Sequence, residues 1–548
     1  MLNRNRRRVR AAALMAVVSL VVAGCSGGAG AAAGGQVILN VAGGPTGPVQ
    51  RVFNPHLPTS AYDLGSRGLI YETLAQVDTI AADEVKPWLA DSWTWSDGNK
   101  KLVFKLHPGV KFTDGVGMTA QDVVFSYELL KKFPATNLRG IQFASIEATG
   151  TDAVTMTFDK PSLQFLDIIV ANEILPEHIW GKVADPVAYP DADPIGTGPF
   201  TLKSFSAASY LLVKNPNYWQ TGKPKIDGLQ FVSKRDNEGV ALALAQGQID
   251  WGGVYVPNVG QTYTSKNPHF KAFWPTVGTD GLITNQQTAP FNDLAVRKAV
   301  SLAVDRKQIA NANQGQPASN QTALPMPVYQ KSVAPEYQNL VYTQDKAGAK
   351  KLLENDGYVM GQDGYYAKNG QTLSFTITDP SSYTEQIAEA QVIVSQMKDV
   401  GIKADINGVP VESINALTQK GNFQASLGYP IDTQTSEFAI YDSWMNPAYS
   451  LPIGQDIITG QNIQRWNDPA TRQLFDQYPV ATTDAERQKI LFALQKTMVE
   501  QLPLIPLTYF PDYAEYNDTK VTGWPTAENP YASPKPGVVV AVNLVPVK

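Results

Sequence analysis

The side chains that could do covalent chemistry are few and scattered. One Ser-x-x-Lys pattern, Ser395-Gln-Met-Lys398, has the spacing of a serine nucleophile with a lysine base. So short a pattern arises about once or twice by chance in a chain this long, and it falls on an amphipathic helical stretch. No Gly-x-Ser-x-Gly elbow is present. The four histidines, His56, His107, His178 and His269, lie far apart and form no metal-binding pair of the His-Glu-x-x-His kind. Asp83 and Glu84 are adjacent and would point apart, so they make no glycosidase pair. There is no phosphate loop and no dinucleotide fingerprint. The remaining reactive group is a thiol, Cys25, the single cysteine in 548 residues. These residues predict a non-enzyme with no cofactor and no metal.

Cys25 follows a distinctive stretch. Arg4, Arg6, Arg7, Arg8 and Arg10 make a positive end with no acid, and Ala11 to Val22 is an apolar run of twelve residues. About twenty are needed to span a bilayer, so residues 1–24 read as a secretory signal peptide. Val22-Ala23-Gly24-Cys25 resembles the lipobox of bacterial lipoproteins. That resemblance implies cleavage before Cys25 and lipidation of its thiol by a diacylglyceryl group, with a further acyl chain such as palmitate on the new N-terminus. One acyl chain holds a protein only weakly, so stable anchoring needs more than one. Residues 26–36 begin SGGAGAAAGG, a flexible tether with a reach of roughly 15–20 Å. The expectation is a body held on the extracytoplasmic face of the cell membrane.

Removal of the first 24 of 548 residues leaves 524, enough for several domains. Loss of the five arginines takes the formal charge from −5 to −10, which opposes nucleic-acid binding. No second run of eighteen apolar residues exists, so a transmembrane enzyme or channel is excluded. Proline (38) and glycine (43) point to many turns in a mixed α/β body without disulfides. Val37–Val41, 101–106, Val154–Phe158 and the end of KNPNYWQTGKPKIDGLQFV read as strands. Leu64–Leu74 suggests a short helix. Thr119–Lys132 predicts a helix with a capping box through Asp122. Further helices are expected at Asn292–Ala310, capped by Asn292, at Thr384–Val400, stopped by Gly401, and at Asp484–Gln501.

Five segments in order carry a resemblance. They are LVFKLHPGVKFTDGVGMTAQDVVFSYE (Leu102 to Glu128), PIGTGPF (Pro194 to Phe200), NPNYW with PKIDGL (Asn215 to Leu229), PFNDLAVRKAVSLAVDRKQI (Pro290 to Ile309) and QLPLIPL (Gln501 to Leu507). Together they resemble the family 5 solute-binding proteins of ABC importers, the oligopeptide- and dipeptide-binding group. Each motif is structural: Gly196 and Gly198 are expected to permit backbone angles that a side chain would forbid, and the rings of Tyr218 and Trp219 read as core.

The resemblance implies an α/β, two-lobed periplasmic-binding-protein fold (type II, cluster C) with an extra domain inserted in the first lobe. Residues 37–74, 194–276 and 507–548 would form lobe I, 75–193 the inserted domain and 277–506 lobe II. Crossings near 276 and 506 would be the hinge, and a monomer is expected to close on its solute and deliver it to the permease. Asp432, in SLGYPID, sits where peptide-binding members hold the α-ammonium of the peptide, although the following TQTSEFAIYDSW departs from their pattern. Read as a residue alone, Asp432 is equally a loop acid or a cap. The tail DYAEYNDTKVTGWPTAENPYASP (Asp512 to Pro534) resembles members that bind β-linked oligosaccharides. Sugars stack on aromatic rings and bond amides, and Trp251, Tyr255, Trp274, Tyr429, Trp444 and Asn285 lie in segments expected to line the cleft. Oligopeptide stands first, oligosaccharide second, and nickel, opine or another small solute remains.

Overall fold

The computed structural model describes residues 35–42, 49–57, 65–81, 84–312, 316–428, 436–457 and 461–547. The chain divides at residue 36, and the architecture is that of residues 37–548. Cys25, Tyr429 and Asp432 lie outside the described residues.

Three sheets organise the body. The first has seven strands in the order Phe270–Ala272, Glu515–Asn517, Trp251–Gly252, Ile38–Ala42, Gly228–Val232, Ser209–Lys214, Phe200–Ser206. Ile38–Ala42 runs parallel to both of its neighbours. Leu39, Val41, Leu229 and Trp251 are fully buried in its core. The second has five strands: Lys403–Val409, Ser374–Pro380, Ala425–Gly428, Thr276–Thr284 and Ile505–Pro511. The first three are parallel and the last two antiparallel. The third is an antiparallel sheet of Ala90–Ser96, Lys101–Leu106, Ala153–Thr157 and Ser145–Ala148, with its own core around Phe104, Val123 and Tyr127. The chain passes between the first two sheets twice, from Ala272 to Thr276 and from Pro511 to Glu515.

Local sequence rules account for most elements. Ala120–Lys132 starts at Thr119, whose Oγ1 accepts from Gln121 N–H at 3.2 Å, while the return bond of the capping box runs from Thr119 N–H to Asp122 Oδ2 at 2.8 Å. Asp122 Oδ1 also accepts from Glu177 N–H at 3.0 Å, so the cap anchors a later segment as well. Thr483 and Glu486 form a second capping box for Asp484–Gln501. Thr384–Asp399 ends just before Gly401, whose φ of 78° suits a residue without a side chain.

Two expectations are corrected. The stretch Asn292–Ala310 is two helices, Leu294–Ala303 and Arg306–Ala312. The cap is Asp293, which accepts from Ala295 N–H at 2.8 Å. Val304 turns extended, and Asp305 restarts the helix by accepting from Lys307 N–H at 2.9 Å. Buried Arg306 fixes the break by donating to the carbonyls of Pro506 (2.8 Å) and Ser301 (2.9 Å). Nor is there a helix through Leu74: Arg67 is extended and Gly68 has φ 79°, so the turn Ser66–Ile70 unwinds.

That unwound segment explains the Gly-Thr-Gly-Pro turn. Neither Gly196 nor Gly198 has a positive φ, so backbone freedom is not what they supply. A Cβ on Gly196 would collide with the Ile70 carbonyl, and one on Gly198 with the Leu69 carbonyl. Gly198 N–H donates to Ile70 O at 2.9 Å across this contact. Close backbone approach, not turn geometry, selects glycine. Gly198→Ala is expected to lower the unfolding free energy by more than about 3 kcal/mol, because backbone cannot relax as a side chain can; urea denaturation measures it.

Candidate functional site

In α/β sheets, ligands are held beyond the carboxyl ends of the parallel strands, where loops leave room and helix N-termini collect. In the first sheet, Gly228–Val232 leads to the helix Asn237–Ala245, started by Asp236 accepting from Gly239 N–H at 2.7 Å. Trp251–Gly252 leads to Tyr255. In the second sheet, Ser374–Pro380 leads to the helix Thr384–Asp399. These ends touch. Asn237 Nδ2 donates to Glu385 Oε2 at 3.2 Å, and Tyr255 OH donates to Ala312 O at 3.3 Å.

Between them stand the two crossing segments. Trp274, on the first, donates its indole N–H to Glu515 Oε1 at 2.7 Å, just after the second. Tyr513 is central. Its ring meets Trp274 at 5.1 Å and 90°, Tyr255 at 5.6 Å and 80°, and Phe510 at 5.8 Å and 83°. These are edge-to-face contacts, the geometry aromatic quadrupoles favour.

Behind the aromatic group lies a set of buried acids. Asp379 is fully buried at the end of its strand and accepts from Ser426 Oγ (2.9 Å) and Leu427 N–H (3.0 Å). Burial pushes its carboxyl up to about 8, against those bonds. Burial raises Glu385 to about 7, with the charge of Asp280 adding to it. Glu515 goes up to about 8, again by burial, with the Trp274 N–H opposing. Asp280 and Glu389 are 3% and 0% exposed and within hydrogen-bonding reach of each other; burial drives both upward, and like charge makes them share a proton. Among the described residues no Lys, Arg or His forms an ion pair with any of the five.

The residues expected from sequence are distributed unevenly. Trp274 and Tyr255 stand in this group. Trp251 is fully buried, edge-on to Trp524 at 5.2 Å, with its N–H given to Pro534 O at 2.8 Å. Trp444 is 3% exposed, in a core with Tyr441, Trp466 and Leu494. Asn285 is fully buried and staples a loop by donating to Gly421 O (2.9 Å) and Phe423 O (3.1 Å). All three are packed as structural residues. Asn237, Asp280, Asp379, Glu385, Glu389, Tyr513 and Glu515 were missed. A signal existed for two of them: Asp280 and Asp379 are the one charged residue each in the strands TVGTDGLIT and SFTITDP, and both are buried.

Among the described residues no three His, Cys, Asp or Glu side chains are placed to hold a metal. Three histidines are paired separately, His107 with Asp91, His178 with Asp114 and His269 with Asp518. His56 is buried, which lowers it to about 4. Ser395 and Lys398 are both exposed on their helix. The aromatic rings and the buried acids meet where the two sheets join.

The sequence pattern of the bacterial extracellular solute-binding proteins, family 5 Middle, matches residues 84–450. The chain belongs to that family. Protein XP55 of Streptomyces lividans is 28% identical over 390 residues, 68% of this chain and 68% of its own. The oligopeptide-binding protein OppA of Bacillus subtilis is 23% identical over 544 residues, 92% and 95% of the two chains. A crystal structure of a Thermotoga maritima oligopeptide ABC transporter periplasmic binding protein, with mannohexaose bound, superposes with a TM-score of 0.84 at 24% identity, covering 93% and 99%. The fold is therefore the periplasmic-binding-protein fold of the family 5 type. No helix among the described residues is long and apolar enough to cross a membrane.

The raised carboxylates fix a pH dependence. A carboxyl protonated in the native state but ionised in the unfolded chain loses stability as pH rises from the ordinary range, near 4, to its native value. For Asp379 that window is pH 4 to about 8. Wild type is expected to lose roughly 1.4 kcal/mol per pH unit relative to Asp379→Asn between pH 5 and 7. Denaturant titrations of both proteins at stepped pH measure the difference, in which shared contributions such as that of His56 cancel.

Proposed function

We propose that this chain is the lipid-anchored extracytoplasmic receptor of an ABC importer and captures an oligopeptide by closing its two main sheets over it. The observation that carries the reading is the convergence of both sheets' strand ends on one surface, bridged by Asn237–Glu385 and Tyr255–Ala312. Binding there needs no covalent step. The passages 272–276 and 511–515 serve as hinge, in place of a crossing near 506, because Ile505–Pro511 pairs within the second sheet; lobe I then comprises 37–74, 194–275 and 512–548, lobe II 276–511, and 75–193 is the insertion. Closure buries the solute, and the closed form is what a permease engages. Asp432 would meet the peptide's α-ammonium, and Tyr429 would line the same cleft. The lipid on Cys25 and the tether of residues 26–36 would keep the body at the membrane.

The family relationship and the similarity to a peptide-binding relative support this solute class. An oligosaccharide is the second reading, favoured by the aromatic group of Tyr255, Tyr513 and the partly exposed Trp274 where the sheets meet.

Isothermal titration of the full chain with a mixed peptide pool, and separately with cello-, xylo- and mannohexaose, decides between them. Heat is expected with peptides; heat with a sugar alone replaces the first reading with the second. Asp432→Ala is expected to weaken peptide binding at least about tenfold, the cost of leaving a cation unpaired. Cys25→Ser is expected to move the protein from the membrane pellet to the supernatant after fractionation; continued pelleting rejects the anchor.

A further inference from the structure

The chain passes from the third sheet to the second only by way of the first. The third and second nevertheless touch. Phe165, in the short turn Leu163–Phe165 that follows the third sheet, packs both against that sheet's core and against the core of Phe438, Tyr441 and Trp444. Its ring meets Phe438 at 5.8 Å and 70°. Phe438 in turn stacks on Tyr478 at 4.1 Å and stands edge-on to Phe475 at 5.6 Å. Phe165 is thus a ring from one unit set into an aromatic group of the other.

Two features mark this seam as a contact that forms and parts. The first is the helix Glu437–Met445, all nine residues of which are buried, Asp442 among them. A helix with ionisable side chains keeps a face for solvent unless another element covers it, and Leu163–Phe165 lies against it. The second is charge. Asp167, buried just after the turn, stands near enough that its charge adds to the burial raising the Asp442 carboxyl to about 6, against the bonds from Asn446 Nδ2 at 2.6 Å and Tyr449 OH at 2.9 Å. Rings draw the seam together and like charge opposes them. Solvent reaches its edge, because Leu163 and Val480, which flank the rings in sequence, are 42% and 60% exposed.

We infer that Phe165 and Phe438 are the two halves of a clasp by which the inserted domain holds lobe II shut. The inference rests on the proposed closure of the lobes and gives the inserted domain a part in it. The passages 272–276 and 511–515 let the lobes move; the clasp, on segments that share no residue with them, sets how long they stay together. When the lobes part, the Phe438 ring loses its partner from the inserted domain and the helix Glu437–Met445 regains a face for water. One aromatic contact opposed by two carboxylates is weak enough to release on the time scale of lobe motion and strong enough to bias it.

The test reads closure directly in the full chain carrying Cys25→Ser, which leaves no native thiol. Leu242→Cys in lobe I and Val359→Cys in lobe II, both at exposed positions, take a pair of dyes for single-molecule energy transfer. The labelled parent chain is expected to show a closed and an open population without solute. Phe165→Ala and Phe438→Ala are each expected to lower the ratio of closed to open about tenfold, the scale of one lost aromatic contact. The double variant is expected to fall no further than the worse single, because both remove the same contact. Phe165→Leu, which keeps an apolar side chain in the seam, is expected to restore most of the ratio. Damage to folding would read differently, since the two rings belong to different cores and their losses would add. A ratio that either alanine leaves unchanged, losses that add, or one population shared by the parent and both variants overturns the clasp. A mixed peptide pool and, separately, mannohexaose keep the two readings apart. A solute that shifts the parent toward closed, while the alanine variants match the parent without solute, overturns the clasp alone. Solutes that bind by calorimetry and leave the transfer unchanged overturn capture by closure, and the clasp with it.

Discussion

Hydrogen bonds join the two places where the chain leaves one sheet for the other: Phe273 N–H donates to Ala514 O at 3.0 Å, Asp512 N–H to Pro275 O at 2.9 Å, and a side-chain bond adds to them. Trp274 lies on the first passage and Glu515 closes the second, and the 2.7 Å bond between them holds the passages side by side. Glu515 is fully buried, so the bond forms where water does not compete, and it is correspondingly strong. Tyr513 packs against Trp274 within the same unit, and through Tyr255 it reaches the loop after Trp251–Gly252. The aromatic group is thus positioned by the connection between the sheets, while Asp280, Asp379, Glu385 and Glu389 behind it are carried by the second sheet and its helix Thr384–Asp399.

A second buried acid ties in the third sheet. Glu72 Oε1 accepts from Trp88 Nε1 at 2.7 Å and Tyr218 OH at 2.8 Å, and Oε2 accepts from Trp219 Nε1 at 3.1 Å. Burial raises its carboxyl to about 7, opposed by these donors. The Asn-Pro-Asn-Tyr-Trp motif is therefore a clamp: its two aromatic residues bind one acid from the segment that the Gly-Thr-Gly-Pro turn presses against. Two motifs that look unrelated in sequence stabilise one junction. Arg67 and Arg139 both reach Glu173 close by, a buried ionic group that adds register to the same region.

The fold was legible where the signal is local. The capping box at Thr119, alternation in 101–106 and ordered family motifs need only neighbours in sequence. The broken helix after Ala303 was illegible because its cause is Arg306 reaching Pro506, far along the chain. The candidate site was legible in part for the same reason. Trp274 and Tyr255 could be named as aromatics near a crossing. Trp251, Trp444 and Asn285 have the same residue types in comparable segments, and only tertiary packing shows them spent on structure. The acids escaped because one buried Asp in a strand looks like an ordinary polar substitution until several meet.

The strand Glu515–Asn517 lies inside the first sheet, between Phe270–Ala272 and Trp251–Gly252, and not at its edge. A chain emerging from its N-terminus therefore cannot finish that sheet until its final segment is free. Early compaction gains little while this slot is empty, and such distant pairings form slowly. A polypeptide built this way sets into its working shape only once its last segment has arrived.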